Sequence, residues 1–197
     1  LSVVIGQTAV ELDGVRDNVR TGETNLGNLI TDSMIEVSGA DVAITNGGGI
    51  RASISAGEVT VGDVITVLPF GNIIVTVELT GQEIIDTLEY GTSSYPSSSG
   101  KFPHVSGITF DINLNNEAGS RVENVMINGV AIDVDALYTV ATNDFMAAGG
   151  DGYSILGDAT ITGEFMGLHE ALESMFEVGI DVILPTDTRI TVIPEIS

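Results

Sequence analysis

The chain has 197 residues, with 28 Asp and Glu against six Lys and Arg, and a formal net charge of −22. Nucleic acid polymers and anionic membranes need a basic surface, so this charge excludes both as general partners. No cysteine is present, which excludes disulfides and thiolate chemistry, and no apolar run approaches the ~20 residues that cross a bilayer, so we expect no membrane insertion.

The first third of the chain alternates strand and helix patterns. Residues 3–14 are rich in β-branched side chains and end in an Asp-Gly pair, which indicates a strand followed by a turn. Residues 25–37 carry apolar side chains at helical spacing after Thr24, a good N-cap, which predicts a helix. Residues 40–45 predict a short buried strand that leads into the glycine-rich loop NGGGIR at 46–51.

The middle of the chain continues this alternation. Residues 60–69 predict a short helix that begins at a threonine cap and ends before a proline, and residues 72–80 predict a strand. Thr80 and Glu83 have the spacing of a capping box, which predicts a helix directly after that strand. Segment 91–100, GTSSYPSSSG, is almost entirely small and polar, so we interpret it as a loop and as the best candidate for an internal boundary.

Strand patterns dominate the next part of the chain. Residues 105–115 predict a strand, and residues 121–133 predict a hairpin that turns at an Asn-Gly pair, because both of these residues accept positive φ. Residues 137–145 predict another strand, which leads into a second glycine-rich loop, AAGGDGY, at 147–153.

The last part predicts one more helix and a closing strand. From 165 to 176, Phe165 and four later apolar residues share one helical stripe, and residues 189–194 predict a strand. Strands and helices are mixed and no repeat period is evident, so the sequence predicts a single α/β (α+β) domain over residues 1–197. We expect a mixed sheet with helices packed on both sides.

The motifs of common catalytic and metal sites are absent from the sequence. His104, which follows a proline in the predicted loop, and His169, on the predicted last helix, are the only histidines, and no HExxH or similar cluster exists. The glycine-rich segments do not match a P-loop or an EF-hand, and no GxSxG is present. We therefore interpret both histidines as structural or surface residues, and predict no catalytic residue and no metal ligand.

Two predicted strands each run into a glycine-rich loop that carries a charged residue, Arg51 in one and Asp151 in the other. An arginine can bind an oxyanion, and an aspartate can accept the hydroxyls of a ribose. Phe70 and Phe145 lie beside glycines at element ends, where two rings could stack on a planar base. The alternatives are two tight turns joined by a surface salt bridge, and two phenylalanines that belong to the core.

Five segments, in order and over nearly the whole chain, resemble the C-terminal domain of 5'-nucleotidases: RTGETNLGNLITDSM, NGGGIRASI, VLPFGN, GKFPHVSGITF and NDFMAAGGDGY. The resemblance implies that this domain recognises substrate. A separate N-terminal metallophosphoesterase domain of the same parent chain would hold two divalent metal ions and the catalytic His-Asp pair. This chain is thus expected to bind but not to hydrolyse, to hold no cofactor itself, and to be extracellular, periplasmic or on the cell surface.

The resemblance also implies roles for individual residues. Phe70 and Phe145 resemble the rings that sandwich the nucleobase, and Asp151 resembles the acid that holds the ribose hydroxyls. Arg51 and Arg20 resemble arginines that approach ribose and phosphate.

Three further residues complete the predicted substrate-binding set. The resemblance implies that Asn46 is a polar partner of the substrate, and Gly48 and Gly150 belong to the two glycine-rich loops. Arg16, one helical turn from Arg20, is the alternative to it, and Asp144 adds a negative charge near the predicted site.

Other enzymes and a non-enzyme remain open at this point. The same domain occurs in UDP-sugar hydrolases and 2',3'-cyclic nucleotide phosphodiesterases. A third alternative is a thiosulfohydrolase, whose substrate has no base, and the two phenylalanines argue against that alternative. The last alternative is a non-catalytic binding module of a larger surface protein.

Overall fold

The structure of the protein, a computed structural model, is described for residues 2–197. Its strands are β1 Val4–Thr8, β2 Val42–Asn46, β3 Gly57–Thr60, β4 Ile73–Thr80, β5 Pro103–Ser106, β6 Ile108–Asn113, β7 Val122–Ile127, β8 Val130–Ala131, β9 Leu137–Asn143, β10 Ile161–Gly167 and β11 Ile190–Ile193. Its helices are α1 Arg16–Val19, α2 Asn25–Ser38, α3 Val61–Val67, α4 Gly81–Thr92, α5 Asp144–Ala147, α6 Ser154–Asp158 and α7 Leu168–Glu173. None of the helices within residues 2–197 has the length and apolar character that crossing a bilayer requires.

The strands form three sheets, one of which is central. The central sheet has five strands in the order β10-β4-β9-β2-β5, in which β2 and β9 are parallel and the other neighbours are antiparallel. A four-stranded sheet, β11-β6-β7-β8, is also mixed because β11 is parallel to β6, and β1 pairs with β3. The predicted mixed pairing is confirmed, although it is divided among separate sheets.

Each face of the central sheet covers its own apolar core. Successive side chains of a strand point to opposite faces, so Ala43 lies in the first core while Val42 and Ile44 lie in the second. The first core is closed by α2, α3 and α7, and the second by α4, α6 and the four-stranded sheet. The predicted α/β fold with helices on both sides is therefore confirmed.

The predicted helix starts are confirmed by their caps. The Thr24 hydroxyl accepts a hydrogen bond from the Gly27 amide, and α2 ends at Gly39, whose φ of 71° lies in the left-handed region. At the start of α4, Thr80 and Glu83 form the predicted capping box. These local bonds satisfy backbone donors that a helix start leaves unpaired, which is why the sequence located both helices correctly.

The helix predicted over residues 165–176 is wrong in its first part. Residues 161–167 form β10, which pairs with the edge of β4, and the helix α7 covers only Leu168–Glu173. Within β10, Gly163, Phe165 and Gly167 turn inward while their neighbours are exposed, a period of two. Phe165 still packs against the first core, so its burial was compatible with either pattern.

The strand predicted over residues 105–115 is broken at Gly107. Its φ is +77°, and a Cβ there would lie 2.2 Å from the carbonyl oxygen of Asp41, so only glycine fits. The break sends β5 into the central sheet and β6 into the four-stranded sheet. One run of apolar alternation thus serves two sheets.

The segment 91–100 is not a domain boundary. Helix α4 continues to Thr92, and the turns that follow are attached to the rest of the molecule. The Ser99 amide donates to the Arg20 carbonyl at 3.1 Å, and the Gly100 carbonyl accepts from the Gly48 amide at 2.9 Å. The small side chains of this segment allow it to lie against two other loops at one end of the central sheet.

Candidate functional site

Loops from distant parts of the chain meet at one end of the central sheet. Because β2 and β9 are parallel neighbours, the loops that follow them leave the sheet at the same edge. They enclose an open cleft of about 510 Å³, which is large enough for a nucleoside-sized molecule. It is lined by Arg20, Asn46, Gly48, Gly49, Arg51, Phe70, Asn72, Gly100, Phe145 and Asp151. The fold therefore brings together all of the predicted site residues except Gly150.

Two phenylalanine rings stand at the mouth of the cleft. Phe70 is 60% exposed in the turn between α3 and β4, and Phe145 is 43% exposed on α5. The alternative that these rings belong to the core is wrong, since neither is in either core. Large exposed rings that line a cleft are the kind of surface that binds flat apolar ligands.

Arg51 lies beside one of these rings. Its guanidinium carbon is 5.6 Å from the centre of the Phe70 ring, within the range of a cation–π contact. Its hydrogen bond to the Gly48 carbonyl is long, with Nη1 and O 3.4 Å apart. The side chain is exposed, so most of its donors face solvent and the cleft.

A chain of amides joins the two glycine-rich loops. Asn46 donates from Nδ2 to Asp151 Oδ2 at 2.8 Å, and Asn143 donates from Nδ2 to Asn46 Oδ1 at 3.0 Å. The alternative of a salt bridge between Arg51 and Asp151 is wrong, because the ion pairs within residues 2–197 are those of Arg189. Asn143 was not predicted; its only signal is its place at the end of a strand beside Phe145.

Asp151 adopts an unusual backbone conformation. Its φ and ψ are 57° and 19°, in the left-handed region that Asp enters more readily than most residues with a Cβ. Its carbonyl oxygen accepts a hydrogen bond from the hydroxyl of Tyr90 at 2.7 Å. Sequence reasoning did not identify Tyr90, since it lies on a helix 61 positions earlier.

Arg20 enters the cleft from the end of α1. Burial, and next the positive charges of Arg16 and Arg51, lower the pKa of Arg20, while Asp151 opposes this shift. Arg20 and Arg51 both line the cleft, so the two guanidiniums share one space. Arg16 is exposed at the start of α1 and does not line the cleft, so Arg20 is the better placed of the two.

His104 supports the segment that carries Arg20. It lies on β5, not in the predicted loop, and is fully buried. Its Nε2 donates to the Val19 carbonyl at 2.8 Å, its Nδ1 has no partner, and burial lowers its pKa. A Cβ on Gly27 would lie 1.9 Å from that Nδ1, so the ring is tightly enclosed. The interpretation of His104 as a structural residue agrees with this environment.

His169 lies on α7 and lines a crevice beside Phe70. This crevice measures about 10 Å³, which is room for about one water molecule. It therefore offers no second ligand site.

The two predicted glycines support the cleft in different ways. Gly48 lines it, and a Cβ there would lie 3.0 Å from the Cα of Gly100. Gly150 lies beneath the cleft wall, where a Cβ would lie 2.5 Å from the Phe145 carbonyl and 2.7 Å from its ring. Asp144 accepts from the Ile73 amide at 3.1 Å and thereby ties α5 to β4.

Residues 2–197 contain no group of three or more His, Cys, Asp or Glu side chains arranged to hold a metal ion. The polar side chains of the cleft are amides, guanidiniums and one carboxylate, a set that suits an uncharged or anionic organic ligand better than a divalent cation. The metal ions that the resemblance implies therefore have no fitting site among these residues.

The sequence is similar to those of known proteins. Residues 4–158 match the family described as 5'-nucleotidase, C-terminal domain. The chain is 51% identical over 165 residues to the trifunctional nucleotide phosphoesterase protein YfkN of Bacillus subtilis, which covers 79% of this chain and 11% of YfkN. It is 42% identical over 153 residues to a 5'-nucleotidase of Vibrio vulnificus, which covers 78% of this chain and 27% of that protein.

The comparison of structures agrees with that of sequences. The crystal structure of a 5'-nucleotidase precursor from Thermus thermophilus matches with a TM-score of 0.89 at 40% identity, over 98% of this chain and 40% of that one. The chain thus spans less than half the length of each of these relatives. The family match, the sequence identities and the shared fold together show that the chain belongs to the 5'-nucleotidase C-terminal domain family.

Proposed function

We propose that this chain is the substrate-recognition part of a secreted 5'-nucleotidase, which hydrolyses nucleoside 5'-phosphates to nucleoside and phosphate. The observation that carries the proposal is the composition of the cleft. Two exposed phenylalanines, one aspartate and two of the chain's few cations line the same 510 Å³ space. Base, ribose and phosphate each require one of these groups.

The base binds between Phe70 and Phe145. Both rings are exposed at the cleft mouth, and stacking on an aromatic ring contributes roughly 1–3 kcal/mol per base. Every base has a π-face, so stacking alone recognises a nucleobase without selecting which one.

The ribose hydroxyls bind to Asp151. The Asn46 amide occupies the Oδ2 atom, which leaves Oδ1 to accept a hydrogen bond from the ligand. The acceptance of ribose hydroxyls by a carboxylate is the arrangement that dinucleotide-binding folds also use.

The phosphate side of the ligand lies toward Arg20 and Arg51. Both line the cleft, and their mutual repulsion decreases when an anion lies between them. Guanidiniums bind phosphate oxygens with paired, charge-assisted hydrogen bonds. In a chain of net charge −22 these two cations supply the local attraction that an anionic ligand needs.

Hydrolysis itself belongs to groups outside this chain. We place the two divalent metal ions and the catalytic residues in an N-terminal metallophosphoesterase domain of the parent protein. The relatives are much longer than the matched region, which leaves room for such a domain. Export to the periplasm, cell surface or medium is part of the same proposal.

A broader phosphoesterase is the second candidate. The 51% identity to a protein named as a trifunctional nucleotide phosphoesterase favours the same recognition role in an enzyme with several nucleotide substrates. UDP-sugars and 2',3'-cyclic nucleotides are the substrates to compare with 5'-phosphates.

An NMR titration of the chain with adenosine, AMP and ribose 5-phosphate tests the proposal. We expect saturable shifts of cleft resonances with adenosine and AMP, little response to ribose 5-phosphate, and loss of binding in a Phe70→Ala/Phe145→Ala double variant. Leu137→Ala is the matched control, since Leu137 is 63% exposed at the opposite end of β9. Absence of binding by the unaltered chain at millimolar ligand would contradict the proposal that this cleft binds nucleosides by itself.

A further inference from the structure

We propose that Tyr90 is a positioning residue for Asp151, and that it thereby sets the preference of the cleft for ribose over a sugar that lacks the 2'- and 3'-hydroxyls. The inference deepens the proposed function and rests on it, because Asp151 is there the group that accepts the ribose hydroxyls. Tyr90 itself does not line the cleft. Its effect would pass through the Asp151 backbone.

Asp151 needs outside contacts to keep its conformation. A φ of 57° is unfavourable for a residue with a Cβ, and such residues persist only where their surroundings fix them. The backbone hydrogen bonds of this turn join the Gly152 amide to the Gly149 carbonyl and the Tyr153 amide to the Gly150 carbonyl, so neither involves Asp151 itself. The carboxylate and the carbonyl of Asp151 are therefore held by groups outside this turn.

Two hydrogen bonds fix Asp151 from opposite ends. Asn46 Nδ2 donates to the carboxylate at 2.8 Å, and Tyr90 Oη donates to the backbone carbonyl at 2.7 Å. Asn46 is buried on β2, so it is a firm point of attachment. If the carbonyl is released, the carboxylate is held at one end only and is free to turn about that bond.

The Tyr90 ring is itself fixed, although it is 37% exposed. It packs edge-on against Tyr153, with centroids 5.1 Å apart and planes at 79°, and Lys101 Nζ lies 4.3 Å from its centroid. Lys101, the chain's only lysine, is held in turn by Ser93 Oγ at 2.7 Å. The hydroxyl lies where a side chain at Gly152 would be, 2.0 Å from an ideal Cβ.

Removal of the hydroxyl separates positioning from packing. In Tyr90→Phe the contacts of the ring with Tyr153 and Lys101 remain, and only the donor to the Asp151 carbonyl is lost. The affinity for adenosine depends on the direction of the Asp151 carboxylate, which accepts hydrogen bonds from the 2'- and 3'-hydroxyls. 2',3'-Dideoxyadenosine lacks both hydroxyls, so its affinity does not. The two ligands share the base and its stacking, so their comparison isolates the ribose contact.

The test is an NMR titration of the 197-residue chain with adenosine and with 2',3'-dideoxyadenosine. We expect Tyr90→Phe to raise the Kd of adenosine roughly fivefold, the loss typical of one hydrogen bond, and to change that of the dideoxy compound less than about twofold. Tyr138→Phe is the matched control, because Tyr138 Oη makes a 3.0 Å hydrogen bond with the Asp133 amide away from the cleft.

The outcomes separate this inference from the function on which it rests. If the unaltered chain prefers adenosine and Tyr90→Phe keeps the same ratio of Kd values, the role of Tyr90 is overturned and the proposed function stands. If both Kd values rise equally, Tyr90 only supports the fold and the inference is likewise overturned. If the unaltered chain binds neither ligand, or both equally, the ribose contact of Asp151 fails and this inference fails with it.

Discussion

Arg189 and the cleft arginines occupy contrasting environments in a chain with six basic residues. The Arg189 side chain is 6% exposed; its Nη2 lies 2.8 Å from Asp32 Oδ1, and its Nη1 donates to the Val105 carbonyl at 2.7 Å. Arg51 is exposed, and its hydrogen bond to Gly48 is 3.4 Å long. The contrast shows that the Arg189 guanidinium is bound within the fold, while that of Arg51 keeps most of its donors facing solvent and the cleft.

The same contrast applies to the surrounding acids. The Glu23 carboxylate accepts from the amides of Arg189 and Ile190, each at 3.0 Å, so this acid is also used by the fold. In the cleft, Asp151 has one carboxylate oxygen bound to Asn46. Around β11 the charged groups form hydrogen bonds within the chain, whereas in the cleft Arg51 and Asp151 keep hydrogen-bonding atoms without such a partner among residues 2–197.

Loss of the buried Arg189 ion pair should have the strongest effect on stability. Arg189→Met should lower the free energy of unfolding by about 3–5 kcal/mol, because it leaves Asp32 without its buried cation. Urea denaturation followed by circular dichroism measures this change. Adenosine affinity, measured well below the midpoint, should stay unchanged; a stability equal to that of the unaltered chain would show that the Arg189 network is not a stabilising one.

A second prediction concerns His104, whose ring is bound to the carbonyl of Val19, next to Arg20. Burial lowers the pKa of His104, although the hydrogen bond to the Val19 carbonyl and the charges of Glu23 and Asp13 oppose this. The folded chain therefore binds fewer protons there than the unfolded chain. Stability from the neutral imidazole is then complete above its ordinary pKa of about 6.5 and is lost as pH falls below it. A tenfold difference in proton affinity between the folded and unfolded chains corresponds to about 1.4 kcal/mol of stability.

His104→Gln isolates this dependence, because glutamine can still donate to Val19 and has no imidazole to protonate. Between about pH 7.5 and pH 5, on either side of the ordinary histidine pKa, denaturation midpoints should fall more for the unaltered chain than for this variant. His169→Gln is the control and should behave as the unaltered chain does. Parallel pH profiles for the chain and the His104 variant would contradict the assignment.

Loss of the exposed Arg51 guanidinium should affect ligand binding and leave stability almost unchanged. Arg51→Met should weaken AMP binding about tenfold, the loss of one charge-assisted hydrogen bond, with stability unchanged within about 0.5 kcal/mol. Adenosine binding should change much less, because adenosine has no phosphate. Arg16→Met, which removes an equal charge outside the cleft, is the control, and an equal effect of both variants would mean that only net charge matters.

Much of the fold could be predicted because its signals are local. The caps of α2 and α4 and the Asn128-Gly129 turn are decided by residues that touch within four positions. The partial failure at 165–176 has a different cause: β10 exists because it pairs with β4, about 90 positions earlier, and no local pattern reports such pairing. Strand β3, paired with β1, was missed for the same reason.

The site shows the same division. The cleft residues were predicted because charged and aromatic side chains stand beside glycines, and because the motifs resemble those of the family. The parallel pairing of β2 and β9 brings the loops that carry several of them together. Asn143 and Tyr90 were missed, because each acts through a hydrogen bond to a residue far away in sequence. The binding roles of Phe70, Phe145, Asp151, Arg51, Asn46 and Arg20 stay predictions.

The cleft also has a mechanical consequence. Its walls come from five segments of the chain, and four of them carry the side chains Arg20, Arg51, Phe70 and Asp151. A nucleotide that touches all four acts as a non-covalent cross-link, and it stabilises the folded state by RT ln(1 + [L]/Kd). Slower amide hydrogen exchange in all four segments at once is the signature of such a cross-link, since a ligand held by one wall protects only that wall.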